Sequence, residues 1–302
     1  EHIGWPVFAE AASGARFGTP SKALITTYDA ILRGEVGTRT EATCIVRFGH
    51  SSTSKPLSQW IERNIEAEFF IINENAERYD PERPCSSVLK GQADRVIADL
   101  PTSELPHRED AHWLKQWNRW DTLAEGIITQ LGDTHFWEGG IARAVLQNLP
   151  ENTVLHIANS MAIRDVDAFC PAGNQLLRVY VNRGLNGIDG TIATAAGESI
   201  AHQNVPTVLL IGDLAFLHDV SSVQAFDRRP ATIVVIDNGG GQIFRFLPIS
   251  AHQAVFEELF VTPQSVKPEQ MCKGLDIRHC VVTSIDHLIQ RLTEEVERDG
   301  LS

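Results

Sequence analysis

Two apolar runs separated by one helix length constrain this chain more than any other feature. Val208, Leu209, Leu210 and Ile211 lead into Gly212-Asp213, and Ile233, Val234, Val235 and Ile236 lead into Asp237-Asn238 and three glycines. Short aliphatic runs bounded by turn residues read as buried strands, and the segment between them is long enough for a crossover helix. Strands joined in that way lie parallel. Asp213 and Asn238 therefore emerge on the same carboxyl edge of the sheet, where open α/β sheets bind their ligands. A carboxylate, a side-chain amide and a backbone carbonyl freed by the glycine run make a hard oxygen set. Such a set suits Mg²⁺ and leaves positions for phosphate oxygens, so the stretch 212–242 reads as a metal-diphosphate site.

The pattern repeats upstream. Strands are expected at 154–157, 178–181, 208–211 and 233–236, ending in Asn159/Ser160, Asn182/Arg183, Gly212/Asp213 and Asp237/Asn238. Any strand can end in polar residues, but four in succession on a parallel sheet would share one rim. The Gly- and Ala-rich segment 187–201 fits a helix packed close to the sheet with its N-terminus facing an anion, or simply a tightly packed helix. Arg164 and Arg183 each follow a strand by a few residues. They could hold carboxylates in bidentate pairs or form salt bridges with Asp165, Asp167 or Asp189.

The first part of the chain alternates likewise, with helices expected at 21–33, 57–63 and 92–100 and strands at 44–48 and 69–73. Between Pro101 and Trp120 the periodicity fails. Residues 104–120, with Pro106 and Trp113, Trp117 and Trp120, read as a linker packed on a domain surface. The fold class is α/β, with two Rossmann-like domains built on mainly parallel sheets, 1–103 and 121–302. The chain opens without Met and stops at Gly300-Leu301-Ser302, which reads as a piece cut from a longer protein and truncated at its C-terminus. The acidic run 293–299 reads as a solvated face.

A formal net charge of −13 argues against a nucleic-acid partner, since no basic stripe is present to neutralise phosphates. Five cysteines, odd in number and without paired spacing, suggest neither a disulfide framework nor a zinc site, and a reducing cytoplasmic location fits. The histidines show no metal-binding pairing. No apolar run is long enough to span a membrane.

Taken with Asn159-Ser160-Met161-Ala162-Ile163-Arg164-Asp165, Asn182-Arg183-Gly184-Leu185-Asn186-Gly187-Ile188-Asp189-Gly190 and Gly241-Gln242-Ile243-Phe244, the Gly-Asp and Asn pair resembles the thiamine-diphosphate enzymes. Within them the resemblance is to the menaquinone-pathway MenD family, the 2-succinyl-5-enolpyruvyl-6-hydroxy-3-cyclohexene-1-carboxylate synthases, which are transferases. The resemblance implies that Asp213, Asn238 and the Gly240 carbonyl hold the Mg²⁺, or Mn²⁺, of thiamine diphosphate, with Gly212, Leu214 and Ala215 beside the diphosphate. Ile188 would prop the cofactor into its bent shape, and Asn186 and Gly187 would meet the pyrimidine edge. Ser160, Arg164 and Arg183 would place the carboxylates of 2-oxoglutarate and isochorismate, with Ile243, Phe244 and Leu247 as an apolar wall. Lys55 matches a lysine at the active-site mouth, although Pro56 stands where some members have arginine.

The reaction implied is decarboxylation of 2-oxoglutarate and addition of the resulting succinyl-semialdehyde carbanion to isochorismate, by a cytoplasmic homodimer. The family's pyrimidine-binding domain, which carries the glutamate that activates the cofactor, has no counterpart here. No catalytic residue is therefore assigned, and the chain alone is expected to be inactive. The alternatives are another thiamine-diphosphate enzyme, such as a 2-oxoacid decarboxylase or acetolactate synthase, and a non-catalytic fragment.

Overall fold

A computed structural model describes residues 3–101, 112–227, 229–296, 298, 300 and 301. The chain divides into two compact units, Glu1–Glu10 with Ser21–Ile128 and Ala11–Pro20 with Thr129–Ser302.

In the first unit β1 (Val7–Phe8) pairs in parallel with β2 (Leu24–Ile25), and β3 (Cys44–Phe48), β4 (Glu68–Asn73) and β5 (Ser87–Lys90) form a second parallel sheet in that order. Helices α1 (Tyr28–Arg33), α2 (Glu35–Arg39), α3 (Lys55–Arg63) and α4 (Ala93–Ala98) accompany these strands, and α5 (His112–Thr134) follows. The expected helix over 21–33 forms only from Tyr28. Before it, Leu24 and Ile25 enter β2, and one oxygen of Asp121 accepts the Thr26 and Thr27 amides and the Thr27 hydroxyl at 2.9, 2.8 and 2.8 Å. That anchor holds the two threonines out of the helix.

The expected linker also differs. Its residues 104–111 lie outside the described residues, and 112–120 are the first turns of α5. Trp113, Trp117 and Trp120 fall at helical spacing and meet edge to face, with centroids 5.8 and 5.3 Å apart. Trp117 is wholly buried with Tyr28, Trp60 and Phe69 in the core of this unit rather than lying on a surface. The division between the units falls inside α5, after Ile128.

The second unit contains β6 (Val154–Ile157), β7 (Arg178–Val181), β8 (Thr207–Gly212) and β9 (Ala231–Ile236), all parallel, in the order β7-β6-β8-β9. Around them run α6 (Glu138–Gln147), α7 (Met161–Phe169), α8 (Thr191–Ala201), α9 (Asp213–Asp219), α10 (Gln253–Phe256), α11 (Pro268–Gly274) and α12 (Ile285–Glu295). β6 and nearly all of β8 are buried, as central parallel strands covered on both faces must be.

Residues 11–20 join this unit although the sequence reading placed them in the first domain. The wholly buried Arg16 explains this, because its guanidinium donates to the carbonyls of Val166 and Cys170 at 3.1 Å and Asp167 at 2.8 Å. They lie at the end of α7, where carbonyls run out of helical amides, although that of Val166 also accepts the Cys170 amide at 3.1 Å. The acidic face at 293–299 is also corrected in part. Glu295 is buried and paired with Arg291 and Arg298 at 2.7 and 2.9 Å. Among the described residues no helix is long and apolar enough to cross a membrane.

Candidate functional site

The strand order makes β6 the point where the chain reverses direction across the sheet, with β7 on one side and β8 on the other. A crevice opens at such a switch, outside the carboxyl ends of the two diverging strands. Asn159 and Ser160 follow β6 there, and Asp213 follows β8.

Asp213 is the first residue of α9 and is buried. One carboxylate oxygen accepts the Leu214 amide at 2.8 Å. Burial pushes this carboxyl above the usual carboxylate range, and the charge of Asp237 adds to the effect. The backbone amides of Leu214, Gly240 and Gly239 pull the other way. Gly212 and Ile236 are register partners, so the chain leaves β8 and β9 side by side and the glycine run folds back on Asp213.

Two of those glycines are required by contact, and the first of them by conformation as well. Gly240 has φ +120°, and a Cβ there would lie 2.2 Å from the Val261 carbonyl. One at Gly241 would lie 2.4 Å from that of Phe260. The Gly241 amide donates to the Val261 carbonyl at 2.7 Å, which seats the run on a π-helical turn at Glu257–Val261. The Gly240 carbonyl itself accepts the Gln242 amide at 2.8 Å, leaving its second lone pair.

Asn238 bears the most specific feature. Its amide nitrogen donates to Glu138 at 2.9 Å, while its oxygen is buried without any hydrogen-bond partner. A buried acceptor left unpaired costs free energy comparable to a lost hydrogen bond. A cation satisfies it. The donor set of Asp213 carboxylate, Asn238 amide oxygen and Gly240 carbonyl fits a hard divalent ion.

The arginines converge on the other flank. Arg164 donates to the Ser160 carbonyl at 2.7 Å and Arg183 to the Asn159 side chain at 3.3 Å. Burial first, and the charge of Arg183 second, lower the Arg164 guanidinium below its usual range. Neither arginine forms an ion pair among the described residues, so the salt bridges weighed from sequence do not form. Two arginines that form no ion pair among the described residues can take a carboxylate. Ser160 stands at φ 68° and ψ −129°, a conformation sparsely populated by residues with a side chain.

The Asn159 side chain donates to the Gly187 carbonyl at 3.1 Å and so ties the 182–190 loop to the end of β6. Ile188 is partly exposed, and Ile243 and Phe244 lie in the turn Gln242–Phe246, with Leu247 next to it. The N-terminus of α8, a possible anion site by sequence, is already occupied from within: Asp219 accepts the Ile192 and Ala193 amides at 2.7 and 3.2 Å. Lys55 belongs to the first unit, where it opens α3 behind the Ser54 cap with Pro56 in the first turn. Glu138, Asp165 and Asp219 were not singled out as site residues by the sequence reading. Only Asp165 had a signal, its place in the segment that follows β6.

Residues 1–157 match the family model described as the middle domain of thiamine pyrophosphate, and residues 169–302 match that of the thiamine pyrophosphate enzyme C-terminal TPP binding domain. Curated proteins named 2-succinyl-5-enolpyruvyl-6-hydroxy-3-cyclohexene-1-carboxylate synthase are similar along almost the whole chain. The one from Listeria monocytogenes is 32% identical, over 99% of this chain and 52% of its own length. Those from Trichodesmium erythraeum and Microcystis aeruginosa are 34% and 35% identical, over 96% and 95% of this chain and 50% and 51% of theirs. The chain thus spans about half the length of the curated relatives it matches.

Proposed function

The chain belongs to the thiamine pyrophosphate enzyme family, through middle and C-terminal TPP-binding domains, and from that premise we propose that the rim of the β7-β6-β8-β9 sheet holds the diphosphate and metal of thiamine diphosphate. The observation that carries this reading is the buried, unpartnered Asn238 oxygen beside the strand end that bears Asp213. Asp213, Asn238 and the Gly240 carbonyl are the ligands of Mg²⁺, with Mn²⁺ as a substitute, and Gly212, Leu214 and Ala215 form the turn against which the diphosphate lies. Asn186, Gly187 and Ile188 face the cofactor's ring portion.

The reaction we assign, for a protein of its relatives' full length, is that of a menaquinone-pathway transferase. It decarboxylates 2-oxoglutarate and adds the resulting four-carbon unit to isochorismate. The chemistry that thiamine diphosphate supplies when bound is a nucleophilic carbon and an electron sink for the departing CO₂. Arg164 and Arg183 hold the substrate carboxylates that the pair of cations selects, and Ser160 orients them. Ile243, Phe244 and Leu247 keep water from the reacting carbon. A simple monocarboxylate 2-oxoacid gives the two adjacent arginines less to bind, which disfavours the acetolactate-synthase reading. Phe246, Leu247, Val255 and Leu259 are exposed apolar side chains and support association of copies into a cytoplasmic homodimer.

A thermal-shift titration with thiamine diphosphate and Mg²⁺ tests the proposal. A ligand that binds only the native state stabilises by RT ln(1 + [L]/Kd), about 2.7 kcal/mol at a hundredfold excess over Kd. The melting temperature should rise for the wild type and not for Asp213→Ala. Equal responses in both proteins would remove Asp213 from the site.

A further inference from the structure

Resting on the metal-diphosphate reading above, we infer that Glu138 is the positioning residue that decides which end of the Asn238 amide faces the metal. A side-chain amide has two ends of nearly equal shape, and only the oxygen can ligate a cation. Asn238 needs something that turns its nitrogen the other way. The Glu138 carboxylate oxygen accepts the Asn238 nitrogen at 2.9 Å across 100 residues of chain, and the Asn238 oxygen is left buried and unpartnered. A carboxylate accepts only, so it cannot hold the amide in the opposite sense. Groups in this relation to a metal ligand orient it without touching the ion.

Glu138 is itself held in place. It is the first residue of α6, where a helix terminus favours a negative side chain. The preceding Trp137 is extended, at φ −147° and ψ 161°, and folds its ring back over the next two residues of the helix. Those residues are Gly139 and Gly140. A Cβ on Gly139 would come within 2.2 Å of the Trp137 ring and 2.6 Å of Phe169, and one on Gly140 within 2.9 Å of the indole nitrogen. Trp137 and Phe169 meet edge to face at 4.7 Å, so the start of α6 is clamped to the end of α7. A second carboxyl, Asp165, lies close enough to feel Glu138. Burial first and Glu138 second push it up to about 8.

The test is Mn²⁺ binding in the presence of thiamine diphosphate, followed by the loss of the free-ion electron paramagnetic resonance signal on the 302-residue chain. Glu138→Ala should weaken Mn²⁺ binding by about 10- to 100-fold, the usual loss for an orienting partner of a ligand. Glu138→Gln keeps an accepting oxygen and should stay within a few-fold of the wild type. The decisive comparison is in an Asn238→Asp background, whose two equivalent oxygens need no orienting. There Glu138→Ala should cost no more than about twofold, the limit of additivity for uncoupled changes.

Wild-type binding by Glu138→Ala, a Gln variant as weak as the Ala variant, or an undiminished loss in the Asn238→Asp background would each overturn the inference. Should Glu138→Ala fail to fold by circular dichroism, Glu138→Met, which keeps the length without the acceptor, takes its place. If the wild type captures no Mn²⁺ that Asp213→Ala abolishes, the site reading itself fails, which is a separate outcome.

Discussion

The two units carry parallel sheets of the same kind but treat the polar groups at their carboxyl rims in opposite ways. In the first, charges meet one another. Arg47 is paired with the buried Glu82 at 2.9 Å and covers the Phe69 ring, and Ser51 and Ser58 donate to the same carboxylate at 2.6 and 3.3 Å. Nearby, Ser54 and Arg33 both donate to Asp29 at 2.6 Å. That rim does hold a cavity of about 300 Å³, lined by His50, Asn73, Glu74 and Glu77 among others, but among the described residues no lysine or arginine lines it. In the second unit the Asn238 oxygen and one Asp165 oxygen are buried without partners, the charge of Arg183 bears on the part-buried Arg164, and burial raises the Asp213 carboxyl. The first rim leaves only the Arg47 Nε unpaired among these groups, as suits a scaffold, whereas an unpaired acceptor beside Asp213 marks where a ligand can complete the structure.

Four substitutions can break or sharpen that contrast. The largest effect is expected from Glu82→Ala, which strands the buried Arg47 charge and should cost about 3–5 kcal/mol in chemical denaturation while leaving Mg²⁺-dependent cofactor binding intact. Loss of binding together with stability would mean that the two rims are not separable. Gly240→Ala comes next, at roughly 2–3 kcal/mol, from a strained φ and a Cβ against the Val261 carbonyl. A neutral result in the same denaturation assay would show that the glycine run yields.

Asp165→Asn has an effect that depends on pH. The folded carboxyl titrates at about 8, above its unfolded value near 4, so its favourable contribution is complete below pH 4 and is lost as pH rises through 8. The Asn variant lacks this slope. Its melting temperature relative to wild type should climb from pH 5 to pH 8, at up to about 1.4 kcal/mol per pH unit, and a pH-independent difference would contradict the assignment. The smallest effect is that of Asp213→Asn without ligands. Removing a charge that burial disfavours should raise the melting temperature slightly at pH 7, even as it abolishes the response to Mg²⁺ and thiamine diphosphate. A fall in melting temperature would show that the carboxylate stabilises the unliganded fold.

Local patterns in the sequence carried much of this. The strands of the second unit were legible because each is an aliphatic run with polar residues at its end, and they form within two residues of the expected bounds. The Asp213 and Asn238 rim followed from parallel topology alone. What was not legible depends on distant partners. The late start of α1 comes from Asp121, 94 residues away, and the closed N-terminus of α8 from Asp219, 27 residues away. Glu138 meets Asn238 across 100 residues and has no marker in its own neighbourhood. The tryptophans of α5 were a different case: their spacing was helical, but the prolines before them drew the reading toward a linker.

The most direct measurement is a crystal structure of the chain soaked with Mn²⁺ and thiamine diphosphate, with the metal located by its anomalous signal. The account predicts one peak in contact with the Asp213 carboxylate and the Asn238 side-chain oxygen, with the diphosphate against the turn that begins α9. A peak held by other residues, or a diphosphate bound away from Asp213 and Asn238, would contradict it.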